Sequence, residues 1–458
     1  MPAVDLSHER WYDALRSHDP RFDGRLFIAV TTTRIYCRPI CPAKRPLKKN
    51  VRIYACAAAA EAAGFRPCLR CRPEVAPWTS AWNGTSTTVS RALRLIGEGA
   101  LDAGDVDALA QRLGVTSRHM RRLFEEHLGA SPIAIAQSRR VHFARTLLRD
   151  TSLRITDVAF AAGFGSVRRF NTAMKVAYRM APRDMRRGRV AEGGDIVVRL
   201  PYRKPFDYAG LLAFLRPRAI PGVEVVDGDE YRRTIAVGDV RGVIRVRDGG
   251  DALQLSVPRA FTQTLKPIVD RVRRLFDLFA DPDTIAEDLG RDASLRKLVR
   301  KWPGARVPGA WDLFELAVRA VVGQQVSVAA ATTLMGRIAA RYGTPIDSGD
   351  PALTIVFPDV AVLRNAPIDG MPATRAATIR AVASADLENI ADLTSIRGVG
   401  PWTASYIAMR RGDPDAFPAG DLVLRKAAGN ISERELLARA EAWRPWRAYA
   451  AILLWRSS

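Results

Sequence analysis

Four cysteines stand in two close pairs near the start of the chain. Three residues separate Cys37 from Cys41, two separate Cys68 from Cys71, and 26 lie between the pairs. Paired thiolates at this spacing suit a tetrahedral Zn²⁺ site, in which two tight turns each present two sulfurs. Disulfides are the alternative. The five cysteines are an odd total, and there is no secretory signal and no apolar run long enough to span a membrane, so we expect a zinc site in a reducing cytosol.

Cationic side chains surround both cysteine pairs. They are Lys44, Arg45, Lys48 and Lys49 after the first pair, and Arg66, Arg70 and Arg72 around the second. Bound zinc and nearby cations hold sulfur as the thiolate, which is its nucleophilic form. A four-sulfur zinc site is usually closed and structural, but this one is set among charges that suit phosphate.

The runs TTTRIYCRPICPAKRP and AAEAAGFRPCLRC resemble the N-terminal domain of the Ada methylphosphotriester-DNA methyltransferases, over roughly residues 1–78. In that family the first cysteine of the CRPxCP segment, here Cys37, takes a methyl group from a methylated DNA phosphate while bound to zinc. The domain acts once, and the loss of one negative charge converts it into a tight promoter binder. Cys56 fits no ligand spacing and is predicted to be a small buried residue of a helix.

Length and charge limit the number of domains and the class of partner. Its 458 residues are too many for one compact core and predict three or four domains. The formal charge of +22 and a pI near 10.5 indicate a polyanionic partner. A membrane surface is the competing polyanion, but the cations are spread through folded-looking segments instead of one amphipathic helix, which favours nucleic acid.

Residues 84–187 contain a degenerate repeat of about fifty residues, in which Ser117–Met120 aligns with Ser166–Arg169. Each half predicts a helix, a turn and a second helix with a basic outer face, the pattern of a helix-turn-helix that enters a major groove. The outward cations predicted to contact DNA are Arg118, Arg121, Arg122, Arg168 and Arg169. The segment AAGFGS and the proline that closes each half resemble the paired helix-turn-helix domain of AraC-type regulators.

Beyond residue 196 the periodicity changes. Strand-like runs IVVRL, EYRRTIAV, VRGVIRVRD and ALQLSV surround one helical stretch and predict a small α+β domain over 196–280. Residues 281–458 are predicted to be helical. Within them Gly398-Val399-Gly400 joins two helical runs by a tight hairpin that leaves backbone N–H groups free for a phosphate, although a plain helix-helix turn is the alternative.

With the Asp about twenty residues further on, this hairpin resembles the helix-hairpin-helix/Gly-Pro-Asp DNA glycosylases, and most closely the 3-methyladenine DNA glycosylase II (AlkA) type. The matching runs include AVVGQQVSVAAA, GVGPWTASY and WRPWRAYA. The resemblance implies that Asp421 is the catalytic carboxylate and that Gln325, where the family typically has an apolar residue, is the wedge in the emptied base stack. It also implies a base pocket formed by Trp402, Tyr406 and Trp455.

An alkylated purine is cationic and leaves readily, so one carboxylate that stabilises the oxocarbenium-like sugar can suffice, and aromatic faces attract the cationic base. Packing and helix capping are the alternative roles for these tryptophans and for Asp421. Lyase-competent relatives carry a Lys where Trp402 stands, which predicts base excision without strand cleavage. No cysteine follows Cys71, which predicts that there is no iron-sulfur cluster.

The sequence therefore predicts a mainly α multidomain protein: a zinc-binding α+β domain over 1–78, a double helix-turn-helix domain over 84–187, an α+β domain over 196–280 and an all-α glycosylase domain over 281–458. The predicted function is DNA alkylation repair coupled to transcription activation. Predicted partners are alkylated and promoter double-stranded DNA and RNA polymerase, for a monomer in the cytoplasm at the nucleoid. Two alternatives remain: a regulator with an inactive glycosylase-like half, and a repair enzyme whose N-terminal half only tethers it to DNA.

Overall fold

The computed structural model describes residues 12, 18, 22–76, 87–102, 104–186, 194–385, 387 and 393–458. The linker predicted after the zinc domain and the break predicted near residue 190 lie largely outside these ranges. The chain forms two compact units. The first contains the chain up to Tyr202 together with Val257–Asp270, and the second contains Arg203–Ser256 and Arg271–Ser458. In the described part of the chain, no helix combines the length and the apolarity needed to cross a membrane.

A small sheet opens the first unit. Its strands are β1 (Phe27–Val30), β2 (Ile35–Cys37), β3 (Val51–Tyr54) and β4 (Arg66–Pro67), in the order β3-β1-β2-β4. Strand β1 pairs antiparallel with β2 and β3, and β2 pairs parallel with β4, which brings the two cysteine pairs to one end of the sheet. Helix α1 (Ala57–Ala62) covers the sheet, and the buried side chains form only small clusters around Tyr36 and Ile28.

Helices follow in the first unit, and the side chains of Asp105, Thr116, Ser131 and Ser166 each cap the start of one of them. They are α2 (Thr87–Gly97), α3 (Val106–Arg112), α4 (Ser117–Leu128), α5 (Pro132–Asp150), α6 (Ile155–Ala161), α7 (Val167–Tyr178) and α8 (Pro182–Met185). The strand β5 (Ile196–Pro201) comes next. The pairs α3–α4 and α6–α7 are the two predicted helix-turn-helix units, and the long helix α5 connects them.

The repeat in these helices is real, but the predicted alignment was wrong by one residue. The hydroxyls of Thr116 and Ser166 accept the N–H groups that cap α4 and α7, so Thr116, and not Ser117, corresponds to Ser166. The helices end at Gly129 and Arg179, both with positive φ. Polar residues that start a helix are interchangeable as caps, which is why the serines alone misled the alignment.

Buried polar contacts join the sheet domain to helix α5. Arg145 Nε donates to Glu74 Oε1 at 2.7 Å, and the side chains of both residues are at most 3% exposed. His142 Nε2 lies 2.9 Å from Tyr36 Oη, which donates to Glu61. Removing one partner of a buried ion pair costs roughly 3–5 kcal/mol, because the other charge is left unpaired. These contacts therefore fix the cysteine-bearing sheet against the helices of the first unit.

The second unit begins with helix α9 (Tyr208–Leu215) and an antiparallel meander of strands β6 (Glu224–Asp227), β7 (Glu230–Val237), β8 (Val240–Asp248) and β9 (Ala252–Val257). The predicted strands are confirmed, and β6 is an addition to them. Arg233 on β7 is 2% exposed and pairs with Glu224 and Glu315, which ties the meander to the helices that follow.

Helices dominate the rest of the chain. They are α10 (Leu265–Leu275), which has residues in both units, α11 (Pro282–Leu289), α12 (Ala293–Lys301), α13 (Leu313–Val322), α14 (Val328–Tyr342), α15 (Val360–Asn365), α16 (Ala373–Val382), α17 (Pro401–Arg410), α18 (Leu422–Ala427), α19 (Glu433–Ala440) and α20 (Arg447–Ser457). Within 281–458 the described β structure is one pair of two-residue strands, β10 (Thr344–Pro345) and β11 (Ile355–Val356). The predicted helical character of this region is otherwise confirmed.

The small clusters in the sheet domain imply that its fold depends on a metal held by the four cysteines. We expect a chelator to remove the amide-exchange protection of β1–β4, because ligand binding and folding are coupled in domains with so little core. Helix α13, in a separate and larger apolar core, should keep its protection under the same conditions. Hydrogen exchange followed by mass spectrometry measures both regions at once. Equal loss of protection in β1–β4 and in α13 would contradict the modular interpretation.

Candidate metal centre and aromatic carboxylate site

The four predicted ligand cysteines meet in one cluster. The sulfurs of Cys37, Cys41, Cys68 and Cys71 all lie within 4.8 Å of one another. Cys41 Sγ and Cys68 Sγ are 3.9 Å apart. Four sulfurs at Zn–S distances of about 2.3 Å in a tetrahedron are about 3.8 Å apart, so the donor set and its spacing fit a zinc ion.

Cys37 differs from the other three cysteines of the cluster in its exposure. Cys41, Cys68 and Cys71 are buried, whereas Cys37 is half-buried. The main-chain N–H of Arg38 also donates to the buried Cys71 sulfur at 3.3 Å. An N–H donor stabilises negative charge on a thiolate and so reduces its reactivity. Cys37 is the least buried residue of the cluster.

Arg38 holds the first cysteine turn against the second. Its guanidinium pairs with the buried Asp23 and donates to the Cys71 carbonyl at 3.0 Å. Lys44 and Arg45, predicted to face phosphate, are both exposed on the segment after Cys41.

Cys56 is buried and lies outside the cluster. The prediction that it belongs to a helix was slightly wrong, because it caps α1 instead: its sulfur accepts the N–H of Ala59 at 3.3 Å. Its thiol also donates to the Leu128 carbonyl at 3.4 Å. Burial raises the pKa of Cys56 to about 12, so this thiol stays protonated and unreactive near neutral pH.

In the second unit, four N–H groups converge on the carboxylate of Asp421. Its Oδ1 accepts from the backbone of Val423 and Leu424 at 2.9 and 3.0 Å, and from Trp455 Nε1 at 3.1 Å. Its Oδ2 accepts from Trp402 Nε1 at 3.2 Å. Asp421 therefore caps α18, as one interpretation of the sequence held, and is also held by the two predicted pocket tryptophans.

The three predicted aromatic residues form one wall. The Trp402 and Tyr406 rings stack at 5.4 Å with 8° between their planes, and Trp455 meets Tyr406 edge-on at 6.4 Å. A further aromatic ring does not fit between two rings already stacked, so only an outer face of the wall could accept one. All three residues are half-buried, which leaves part of each surface accessible.

Arginines beneath this wall were missed by the sequence analysis. Arg410 Nη1 donates to Tyr406 Oη at 3.2 Å, and the positive charge of Arg218 also acts on that hydroxyl. Burial alone would raise the pKa of Tyr406, but the cations Arg410 and Arg218 outweigh it and lower that pKa. The signal available in the sequence was Arg410, which follows Tyr406 by one helical turn.

The two hairpin glycines have different constraints. Gly398 has φ of 94°, and a Cβ built on it would lie 2.1 Å from Thr378 Oγ1. Gly400 starts α17 with ordinary φ, and a Cβ there would meet nothing within 4 Å. Both are exposed, as a hairpin that presents N–H groups to phosphate requires. Only Gly398 needs the absence of a side chain.

Gln325, the predicted wedge, is exposed in the turn between α13 and α14, where its φ is 57°. The neighbouring Gln324 was not singled out from the sequence, although the GQQ run was quoted. The predicted DNA-contacting arginines of the helix-turn-helix units are all exposed on α4 and α7: they are Arg118, Arg121, Arg122, Arg168 and Arg169.

Comparison with protein families supports this arrangement. The model for the metal binding domain of Ada matches residues 10–74, that for a helix-turn-helix domain matches 109–188, and that for the AlkA N-terminal domain matches 197–312. The predicted Ada-like, helix-turn-helix and AlkA-like parts are confirmed in this order along the chain.

Individual relatives extend the comparison. A probable bifunctional transcriptional activator/DNA repair enzyme AlkA of Mycobacterium tuberculosis (strain CDC 1551 / Oshkosh) is 42% identical over 98% of this chain and 96% of its own length. DNA-3-methyladenine glycosylase 2 of Escherichia coli (strain K12) is 33% identical over 56% of this chain and 95% of its own. The solved 3-methyladenine DNA glycosylase from Archaeoglobus fulgidus has a TM-score of 0.50 at 19% identity, over 56% of this chain and 96% of its own, which shows likeness of fold.

A relative at 42% identity that spans nearly all of both chains is sufficient to assign membership. The metal-binding, helix-turn-helix and AlkA-type segments occur here in one polypeptide. The chain belongs to the family of bifunctional transcriptional activator/DNA repair enzymes AlkA.

Proposed function

We propose that the second unit removes alkylated purines such as 3-methyladenine from DNA by hydrolysis of the N-glycosidic bond. The observation that carries this proposal is the carboxylate of Asp421, held by two indole N–H groups beside an aromatic wall. The name of the 33% identical relative, DNA-3-methyladenine glycosylase 2, supports the same substrate class.

Asp421 supplies a fixed negative charge in this mechanism. As the C1′–N bond breaks, its electron pair leaves with the base and positive charge develops on the sugar. A carboxylate held by N–H donors does not have to reorganise to stabilise that charge, and it can accept a proton from the attacking water. The outer face of the wall formed by Trp402, Tyr406 and Trp455 attracts the cationic base.

We propose that this excision is monofunctional. Strand cleavage by a glycosylase requires an amine that attacks the sugar carbon, and Trp402 stands where lyase-competent relatives of the superfamily carry a Lys. The indole N–H of Trp402 instead donates to Asp421. Hydrolysis by water is the chemistry that these residues support.

The first unit is proposed to repair DNA methylphosphotriesters with Cys37 as the methyl acceptor. One bound zinc ion supplies the positive charge that keeps the four cysteine sulfurs as thiolates, with no iron-sulfur cluster in the chain. Cys37 Sγ attacks the methyl carbon, an S–C bond forms, the C–O bond breaks and its electron pair stays on the phosphate oxygen. The thioether remains on the protein, so each chain acts once.

Methylation of Cys37 removes one negative charge from a surface that carries Lys44 and Arg45. Binding to phosphates strengthens when a repelling charge is lost. We propose that this change increases promoter binding by α4 and α7, and that the monomeric protein then recruits RNA polymerase at the nucleoid, in the cytoplasm. A regulator with an inactive second half is the alternative, and the ordered Asp421 site argues against it.

The charge of Asp421 can be tested apart from its capping role. Asp421→Asn keeps a good helix cap but removes the negative charge, so excision of 3-methyladenine should fall by at least about 10²–10³-fold while affinity for abasic-site DNA changes little. Asp359→Asn is the matched control, because Asp359 caps α15 by the same kind of bond to Val362. Single-turnover excision at an unchanged rate in Asp421→Asn would leave the carboxylate a capping role only.

The acceptor can be located by peptide mapping after reaction with DNA that carries methylphosphotriesters. We expect the methyl group on Cys37, because it is the half-buried member of the cluster and the other three sulfurs are buried. Cys56→Ser is the control, since serine caps helices well and Cys56 is remote from the cluster. It should accept a methyl group as the parent protein does. A label on Cys41, Cys68, Cys71 or Cys56 would contradict the assignment.

A further inference from the structure

The wedge turn is the turn between α13 and α14 that carries Gln325. Its backbone has a conformation that a residue other than glycine adopts only when surrounding contacts stabilise it. Its φ of 57° lies in the left-handed region, which is uncommon for residues other than glycine. Such a backbone persists when surrounding contacts fix it, and it occurs often at functional sites. The side chain is exposed, so the support has to come from the neighbouring backbone and side chains.

Gln324 supplies that support from the adjacent position. Its amide Nε2 donates to the Gly398 carbonyl at 2.8 Å and to Thr403 Oγ1 at 2.9 Å. The main-chain carbonyl oxygen of Gln324 accepts a hydrogen bond from Arg375 Nη2 at 2.7 Å. Gln324 is therefore hydrogen-bonded to the glycine hairpin, to helix α17 and to helix α16.

The hairpin end of this contact is itself fixed. Thr378 Oγ1, on the same helix as Arg375, donates to the Arg397 carbonyl at 3.0 Å, and it occupies the space that a side chain at Gly398 would need. The hairpin, α16 and the wedge turn thus form one hydrogen-bonded assembly. A hairpin that binds the DNA backbone through its N–H groups would at the same time set the position of Gln325.

We propose that Gln324 is a positioning residue that couples backbone binding at the Gly398 hairpin to insertion of Gln325 into the base stack. The proposal rests on the glycosylase function proposed above. Gln324 itself needs no contact with the base or with Asp421. Its two donated hydrogen bonds keep the wedge turn ordered before DNA binds. The free energy of base extrusion then does not include the entropy cost of ordering that turn.

A double-mutant cycle tests this coupling. The variants are Gln324→Leu, which keeps size but removes both donors, Gln325→Ala, and the double variant. Base extrusion is followed by the fluorescence of 2-aminopurine placed opposite or beside an abasic site, and excision of 3-methyladenine is followed under single-turnover conditions. Gln254→Leu, an exposed glutamine on β9, is the matched control for a Gln-to-Leu change.

Gln324→Leu is expected to lower extrusion and the single-turnover rate by about tenfold, the net effect of two neutral hydrogen bonds, with a change in overall DNA affinity of less than about threefold. In the Gln325→Ala background the same change should have little further effect, because residues that act through one another are not additive. Thr403→Val removes one of the two acceptors and should give a smaller change in the same direction. Thermal melting of each variant separates this effect from loss of fold.

Additive effects of Gln324→Leu and Gln325→Ala would overturn the proposal, as would equal losses in DNA affinity and extrusion. If the parent protein releases no alkylated base but Gln324→Leu still lowers the 2-aminopurine signal only when Gln325 is present, the coupling stands and the proposed glycosylase function fails. If excision depends on Asp421 but not on Gln324, the function stands and the coupling fails.

Discussion

One carboxylate with four N–H partners determines how the second unit is built. Asp421 is bonded to the start of α18, to Trp402 on α17 and to Trp455 on α20, so three helices from separate parts of the chain meet at it. Both oxygens of this carboxylate accept hydrogen bonds, which offsets their partial removal from water. The interactions that fix the fold here also present a negative charge at the aromatic wall.

The cysteine-bearing sheet of the first unit is stabilised in another way. The sheet that carries the cysteines is too small for a large apolar core, so the four sulfurs and the contacts with α5 hold it in place. Tyr36 directly precedes Cys37 and reaches His142, while Glu74 lies three residues after Cys71 and pairs with Arg145. Burial raises the pKa of Tyr36 well above its usual value, so its hydroxyl stays a hydrogen-bond donor. Cys37 is thereby linked, through its neighbours, to the long helix α5 that connects the two helix-turn-helix units.

Local signals predicted much of this arrangement. The cysteine spacing indicated a four-sulfur cluster, and the basic outer face predicted for α4 lies opposite Met120 and Phe124, both 0% exposed. Alternation predicted the strands around residues 230–257. Short elements with weak patterns were missed: β6 has only four residues, and its buried Glu224 pairs with Arg233 on the next strand and with Arg319, 95 residues away.

Polar contacts between residues far apart in the chain could not be predicted from the sequence for the same reason. Tyr36 and His142 are 106 residues apart, and nothing in either local sequence specifies the other as its partner. Gln324 was not singled out, because the sequence does not show which of two adjacent glutamines faces the hairpin. Sequence motifs identified the candidate residues of each site, whereas their hydrogen-bond and ion-pair partners were visible only in the structure.

The central claim is that one chain carries a self-terminating repair reaction and a catalytic one. Incubation of the purified protein with a large excess of methylated DNA tests it most directly, with released bases and the intact mass of the protein measured in the same samples over time. The account predicts that 3-methyladenine release continues well beyond one base per chain, while the protein gains a single methyl group and then no more. Base release that stops together with methylation of the protein, or a protein that never gains a methyl group, would contradict it.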